Sequence, residues 1–580
     1  MAVENLITEH IDIWTSAVKT KSASGRGSNK KLELYGVKKL RELILELAVR
    51  GKLVPQDPND EPASVLLKRI AQEKAQLVKE KKLKKPKKLP NISDEEKPFD
   101  LPNGWSWIRL NEYGEWGSGS TPKRSNSEYY DGGIPWFKSG ELKADYISES
   151  EETITELALS ETSVRYNNVG DVLVAMYGAT IGKTAILSVR ATTNQAVCAC
   201  TPFTGLSNTY LLTLLKAYKA RLIGMGAGGA QPNISREKII NTVIALPSNA
   251  EQHRIVAKVD ELMALCDQLE QQTEASIEAH QVLVTTLLDT LTNSADADEL
   301  MQNWERISEH FDTLFTTEES IDQLKQTILQ LAVMGKLVPQ DPSDEPASEL
   351  LKRIAEEKAQ LVKEKKIKKE KALPPISEDQ KPFELPNGWE WCRFNDAIDV
   401  RDGTHDSPKD ATGTNTYPLI TSKNFINGKI DFDNARQISS EDHFEIIKRS
   451  QVDKLDILFS MIGGNIGNQV IVEDERDFSI KNVALFKYYN VRYTYPYFVF
   501  LYTQNLAKDL QTKAVGGAQP FISLGALRSL LFALPPREEQ EKIVTKVKEL
   551  MVLCDQLIAR LKESQATQIH LTDAIVARAV

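Results

Sequence analysis

A chain of 580 residues that is 41% hydrophobic and 26% charged has the make-up of an ordinary soluble protein, and its length corresponds to roughly four domains of common size. A formal net charge of −9 argues against a protein that coats nucleic acid unaided, leaving local basic faces or a more basic partner as routes to phosphate. No apolar run approaches the ~20 residues that a bilayer span needs, and the five cysteines (Cys198, Cys200, Cys266, Cys392 and Cys554) lack metal-ligand spacing, so a cytoplasmic protein with buried thiols, clear of the membrane, is expected.

Taken in chain order, MAVENLITEHIDIW opens with acids and without the basic-then-apolar pattern of a secretory signal. SASGRGSNKK at 22–31 reads as a flexible linker. A helical pattern follows through Leu40, Ile44, Leu47 and Ala48, with Gly51 placed to stop it. VPQDPNDEPAS is turn-rich, and Ser64 opens a second helix through Leu66, Leu67, Ile70, Leu77 and Val78. That helix dissolves in KEKKLKKPKK, which reads as a solvated helix end or as a phosphate contact. PNGWSW then introduces a stretch rich in β-branched and aromatic residues, and GGAQPNIS at 228–235 closes it as a re-entry hinge. A long amphipathic helix comes next, its seam carrying Ile255, Val259, Leu262, Cys266 and Leu269, then weakening around Thr273, Ser276 and His280 before Val284, Leu287 and Leu291.

From Ile328 the chain says the same thing again. Residues 44–107 return as 328–391, with Gly51 on Gly335 and Trp105 on Trp389 at a constant shift of 284. GGAQPFIS at 516–523 repeats the hinge, and a second long helix carries Ile543, Val547, Leu550, Cys554, Leu557 and Leu561. A helix of ~40 residues is about 60 Å long, and so long an apolar stripe needs a partner, so the two helices are expected to pack on each other or on another protein. Residues 108–227 and 392–515, by contrast, look largely unlike each other. The split is between a duplicated frame and two divergent inserts, each expected to be a compact α/β domain of roughly 130–150 residues.

Within the inserts, GDVLVAMYGATIGKTAILSV (170–189) and DILFSMIGGNIGNQVIV (456–472) each read as strand, glycine turn, strand. GATIGKT resembles a phosphate loop but has three residues between Gly178 and Gly182 where four are required, and Asn468 stands in the other insert where Lys183 stands in this one. DGTHDSPK (402–409) places His405 without a nucleophile partner or metal-binding spacing, which favours a structural or base-contacting loop over catalysis. STPKRSN (120–126) occupies a similar place early in the first insert and reads either as a contact to phosphate or guanine edges through Lys123 and Arg124 or as a plain basic surface turn, and the paired tryptophans Trp105, Trp107, Trp389 and Trp391 read as core anchors.

The duplicated frame with unlike inserts, together with IPWFKSGEL (134–142), GDVLVAMYGATIGKTAI (170–186), ALPSNAEQHRIVAKVDEL (245–262), DGTHDSPK (402–409) and ALPPREEQEKIVTKVKEL (533–550), resembles the DNA-specificity (S) subunit of type I restriction–modification systems over almost the whole chain. Residues 1–28 fall outside the resemblance. It implies an α/β protein with two globular target recognition domains separated by a long antiparallel coiled-coil spacer and an internal pseudo-two-fold repeat. The implied division is an N-terminal helical conserved region over 1–100, recognition domains over 101–247 and 385–535, a central conserved region over 248–384 and a C-terminal spacer helix from 536 to 580. The spacer seam is Ile255, Val259, Leu262 and Leu269 with Ile543, Val547, Leu550 and Leu557. Implied partners are double-stranded DNA, a pair of modification (methyltransferase, HsdM) subunits and the restriction/translocase (HsdR) subunits. S-adenosylmethionine would belong to the methyltransferase partner, and ATP and Mg2+ to the restriction partner. No catalytic, cofactor-binding or metal-binding residue is expected in this chain.

Specificity requires side chains in a DNA groove, each good bidentate contact contributing about 1–3 kcal/mol of discrimination. The candidates are polar residues of the glycine-bounded loops: Lys123, Arg124, Lys138 and Lys183 in the first insert, and Arg401, Thr404, His405, Lys423, Asn424, Asn465 and Asn468 in the second. Because the inserts differ, the two half-sites should differ. Because the frame is cyclically repeated, the N- and C-terminal regions should meet to complete a second copy of the central connector. Two other classes remain open from the residues alone. One is a fused methyltransferase or nuclease, which methylation by the purified chain alone would reveal. The other is a scaffold that bridges proteins only, which sequence-specific protection of DNA, lost on swapping 108–227, would exclude.

Overall fold

The computed structural model describes residues 3–21, 31–81, 89–226, 232–295, 297–369, 373–514 and 520–580. The chain divides into two compact units, Met1–Ser276 with Ser564–Val580, and Ile277–Glu563. Each unit holds one insert, the repeated helices that precede it, the beginning of one long helix and the end of the other. The long helices are Asn249–Asn293 and Arg537–Ala579, 45 and 43 residues.

In the first unit the repeated helix Tyr35–Val49 buries Val37, Leu40, Leu43, Ile44 and Leu47, the stripe that its sequence spacing dictates. Its polar flank grips both long helices. Arg41 donates to Asp267 at 2.6 Å and to Glu270 at 2.7 Å, and the Tyr35 hydroxyl donates to Asp573 at 2.7 Å. Lys52, just past the helix, reaches the Val580 carbonyl oxygen at 2.5 Å. The N-terminal and C-terminal regions therefore do meet, as the cyclic repeat predicts. In the second unit Glu318–Val333 takes the same place: Lys325 pairs with Asp555 at 2.7 Å, Thr285 donates to Gln323 at 3.3 Å, and Lys336 reaches the Thr292 carbonyl at 2.9 Å. Lys52 and Lys336 lie 284 positions apart and Thr292 and Val580 lie 288 apart, so the same bond is made twice by the two copies of the frame.

Gly51 and Gly335 end these helices at φ +68 and +71, where a side chain is strained. A Cβ at Gly51 would stand 2.5 Å from Pro102 Cγ and 2.9 Å from Trp105, and one at Gly335 2.6 Å from Pro386 Cγ and 2.9 Å from Trp389. Trp105 and Trp389 thus close over the glycines as core anchors and Trp391 is buried as well, whereas Trp107 is only half-buried. Trp105 donates to Glu251 at 2.9 Å and Trp389 to Glu539 at 3.0 Å, each carboxylate also accepting from Gln56 (2.8 Å) or Gln340 (3.2 Å).

The seam residues Ile255, Val259 and Leu262 on the first long helix and Ile543 and Val547 on the second are buried, whereas Leu269, Leu550 and Leu557 are half-buried. His280 lies where the seam weakens, with its Nε2 2.9 Å from the Leu314 carbonyl oxygen.

Each insert is closed by a strand pair joining its two ends: Ser106–Arg109 with Val243–Leu246, and Glu390–Arg393 with Leu531–Leu534. Inside the first, a five-stranded sheet runs in the order Gly114–Ser118, Val197–Pro202, Val172–Ala175, Thr184–Leu187, Tyr146–Ile147, beside a three-stranded sheet of Thr192–Thr193, Tyr130–Phe137 and Thr153–Ile154. The second has a four-stranded sheet, Ile398–Asp402, Val483–Tyr488, Ile457–Ser460, Gln469–Ile471, beside Arg436–Ser439, Thr416–Ile420 and Ser479–Ile480. Unlike sequences have built a common core of four plus three strands, to which the first insert adds Tyr146–Ile147 at the sheet edge and the second a separate pair, Phe425–Ile426 with Lys429–Ile430.

One copy of the repeat extends further than the sequence pattern discloses. Helix Ile11–Ser16 opens from His10 at φ −122, and Phe311–Leu314 opens from His310 at φ −113. Each histidine carbonyl accepts from the third and fourth residues after it, all at 3.0 Å. Glu-His-x-Asp at 9–12 and 309–312 is the shared signature. Trp14 is wholly buried, and a Cβ on Gly36 would stand 2.3 Å from its carbonyl oxygen. The first residues of the chain are thus part of the frame.

Candidate nucleic-acid interface

The glycine turns of both inserts are hairpins. Val172–Ala175 pairs antiparallel with Thr184–Leu187, and Ile457–Ser460 with Gln469–Ile471. Gly178 and Gly463 open the turns at φ +59 and +74. Their amides donate to the carbonyls of Pro232 and Pro520, at 2.7 and 2.8 Å. A phosphate loop leads into a helix; these turns lead into a strand. Lys183 lies half-buried at the end of the first, and Asn465 and Asn468 lie exposed in the second. The hinge prolines Pro232 and Pro520 are described, while Gly228 to Gln231 and Gly516 to Gln519 of the GGAQ motifs lie outside the described residues, as do the greater part of the first lysine run and the end of the second.

Arg124 and Lys138 converge on one carboxylate. Arg124 pairs with Glu152, and Lys138 Nζ lies 2.9 Å from Glu152 and 3.3 Å from Glu151. The Arg124 guanidinium also stacks 4.8 Å from the Tyr130 ring and 4.9 Å from Trp136. Arg124 first and Lys138 second hold the Glu152 carboxyl below its ordinary range, and that carboxylate raises both cations. Arg124 is exposed, and a surface ion pair of this kind is weak. Lys123 lies exposed beside them.

In the second insert Lys423 is exposed on the turn Ser422–Asn424, whereas Asn424 is buried. Its amide oxygen accepts from the Thr421 amide at 3.0 Å, and its nitrogen donates to the Asp431 carbonyl at 3.3 Å. Asn468 Nδ2 reaches the Phe425 carbonyl at 3.4 Å, bringing this turn against the glycine hairpin. Arg401 sits within the strand Ile398–Asp402, half-buried and paired with Asp399 at 2.6 Å.

Thr404 and His405 form the centre of a tighter group. His405 Nε2 lies 3.0 Å from Asp402 and its Nδ1 3.2 Å from Asn482, while Arg449 donates to Asp402 at 2.5 Å. The Thr404 amide donates to the Ile480 carbonyl at 3.0 Å. Asp402, Arg449 and Asn482 escaped sequence reasoning. They come from segments up to 80 positions apart, and the one local sign is an asparagine at the mouth of the apolar run VALF, where it adopts φ +55.

Among the described residues no group of three or more His, Cys, Asp or Glu side chains is placed to hold a metal ion. All five cysteines are buried and free, and burial pushes the Cys198 thiol up to about 12 and Cys266 up to about 11, far from nucleophilic thiolates. No helix among the described residues is long and apolar enough to cross a membrane.

A family model described as the type I restriction modification DNA specificity domain matches the chain twice, over residues 102–279 and 386–564. The specificity subunits of the type I restriction enzymes EcoEI and EcoAI of Escherichia coli are each 43% identical to it. The first alignment covers 99% of this chain and 99% of the relative, the second 100% of both. A solved HsdS subunit from Thermoanaerobacter tengcongensis aligns with 83% of this chain and 98% of its own at 17% identity and a TM-score of 0.41.

Proposed function

The chain belongs to the specificity subunits of type I restriction–modification systems, and from that premise we propose that its two target recognition domains read different halves of one asymmetric, bipartite DNA site. It is a non-catalytic recognition subunit; the fused enzyme and the bare protein scaffold are left without support. The recognition domains occupy 101–247 and 385–535. The helical frame docks a pair of methyltransferase subunits, with restriction subunits joining the assembly in the cytoplasm. S-adenosylmethionine then resides in the methyltransferase partner, and ATP and Mg2+ in the restriction partner.

The observation that carries this reading is a common strand core built from unlike sequences. Two domains keep the same glycine hairpin and the same parallel strand pair, yet present Lys183 against Asn468 and Thr121 against His405 at corresponding places. A constant backbone with variable tips suits base readout, because sequence is read by side chains at base edges while phosphate contacts only position the protein. Lys123, Arg124 and Lys138 are suited to phosphate. His405, Asn465, Asn468 and Lys423 are exposed and suited to a groove, with Lys183 and Thr404 half-exposed beside them. Arg401 and Asn424, spent on Asp399 and on the Thr421 turn, hold loops in place.

Methylome sequencing of cells with and without the chain tests the reading. One asymmetric bipartite motif that appears only with the chain is the expected result. An unchanged methylome in cells with an active methyltransferase partner would refute it.

A further inference from the structure

We infer that a single side-chain pair, at equivalent places in the two recognition domains, selects bases: Thr121 with Gln195 in the first, His405 with Asn482 in the second. This rests on the reading of the inserts as recognition domains and names the residues that distinguish them.

The equivalence is fixed by backbone bonds, not by sequence likeness. Ser118 ends one strand opposite Cys198, and Asp402 ends its counterpart opposite Ala484. A glycine follows in each case, and the amides of Gly119 and Gly403 donate to the carbonyls of Val197 and Val483, both at 3.0 Å. A Cβ at Gly119 would meet the Thr193 carbonyl oxygen at 2.2 Å, and one at Gly403 the Ile480 carbonyl oxygen at 2.6 Å. Only glycine lets the chain pass so close. The next amides, of Ser120 and Thr404, donate to those same two carbonyls, both at 3.0 Å. Thr193 and Ile480 themselves end short strands that pair in parallel with Phe137 and Ile420. One residue past Ser120 and Thr404 stand Thr121 and His405; two past Thr193 and Ile480 stand Gln195 and Asn482.

In both domains the two side chains so placed bond to each other. The Thr121 hydroxyl donates to the Gln195 amide oxygen, and His405 Nδ1 lies 3.2 Å from the Asn482 amide oxygen. Both contacts are exposed, and the His405 side chain is 62% accessible. A side-chain amide offers a donor and an acceptor side by side, the pattern that meets adenine N7 and N6 in the major groove, and His405, with both ring nitrogens engaged, holds its amide partner in place. The second domain stiffens its pair by placing Asp402, itself held by Arg449, against His405 Nε2, where the first domain has Ser118. The scaffold beneath the pair is common to the domains, and the pair itself differs.

The test uses the full chain assembled with its methyltransferase subunits. The double exchange His405→Thr with Asn482→Gln imports the first domain's pair, while His405→Ala and Gln195→Ala remove one member from each domain. Motifs are read by methylome sequencing, and discrimination by methylation rates on duplexes with each base of the site replaced. The expected result is that His405→Ala and the exchange alter one half of the motif only and Gln195→Ala alters the other half only. Discrimination at the affected position should fall roughly 5- to 150-fold, the range of one bidentate contact. Unchanged discrimination in both halves would overturn the assignment, as would uniform weakening on all sequences, which marks a phosphate contact. Loss of assembly in the alanine variants would overturn it too, since the pair would then be a structural clasp. Absence of any bipartite motif from the unmodified complex would instead refute the recognition reading itself, before any variant is compared.

Discussion

Asp456 sits at the mouth of the central strand of the second recognition domain, its side chain 4% exposed, with Lys487 Nζ 2.5 Å away. Burial pushes its carboxyl from the ordinary 3.8 up to about 6, against the opposing pull of Lys487. The folded protein therefore holds this proton more tightly than the unfolded chain, so the group favours folding in acid and that contribution is lost as pH rises from about 4 to 6. A two-unit shift corresponds to about 3 kcal/mol. Asp456→Asn removes the titration, and Lys487 keeps Asp453 at 2.7 Å as a partner. Stability of the variant relative to wild type should therefore grow by about 3 kcal/mol between pH 4 and pH 7, as read by urea unfolding at each pH; a difference flat across pH would contradict the assignment. A cation on the surface behaves otherwise. Lys123 is exposed, so Lys123→Ala should weaken DNA binding by the assembled complex equally on all sequences and lower the slope of log affinity against log salt by about 0.9. A change in motif would show instead that it reads bases.

At the scale of elements, the long helices show how far periodicity reaches. Steps of four and three single out Ile255, Val259 and Leu262, all buried, and the weaker middle of the pattern is where the helix is only half-covered at Leu269, Thr273 and His280. Leu262 is 0% exposed and Leu265, one turn on, 45%. Leu262→Ala should cost about 2–5 kcal/mol in chemical denaturation and Leu265→Ala no more than about 0.5 kcal/mol; equal costs would mean that the stripe does not face a core. The strand–turn–strand signals at 170–189 and 456–472 likewise forecast two hairpins, because glycines at positive φ and alternating apolar residues act locally. The common topology of the inserts was beyond such reasoning. It is fixed by backbone bonds between segments about 75 residues apart, as from Ser120 to Thr193 and from Thr404 to Ile480, and backbone bonds leave little trace in side-chain identity. The grouping of His405 and Asp402 with Arg449 and Asn482 was hidden because its side chains come from segments up to 80 positions apart. The copy of the frame at 9–14 was hidden differently: it repeats at a spacing of 300 rather than 284, because the linker before Tyr35 is longer than the one before Glu318.

For the whole molecule, the frame is a cycle opened at one point. Val580 meets Lys52 in the first unit as Thr292 meets Lys336 in the second, and Glu9 of the opening helices matches Glu309. In the second copy the chain runs from Thr292 through Glu309 without a break, and residues 293–300 lie between the positions that match Val580 and Met1. A chain that begins at Ala297, runs to Val580, continues through a copy of NSADADEL into Met1 and ends at Asp296 should close the first copy and open the second. Every strand pair within the recognition domains is left intact by this rearrangement, and the chain is opened between two helices, Asn249–Asn293 and Ala297–Glu309. The permuted chain should assemble with its methyltransferase partner and write the same motif as the parent. A second permutant with the same link, opened after Glu274, cuts a helix whose continuity joins Leu262 to Val284 on one stripe, and it should fail to assemble. Methylome sequencing of cells carrying each version distinguishes the cases. If the first permutant wrote a different motif, or the second wrote the parental one, the long helix would not be the element that couples the two halves of the cycle.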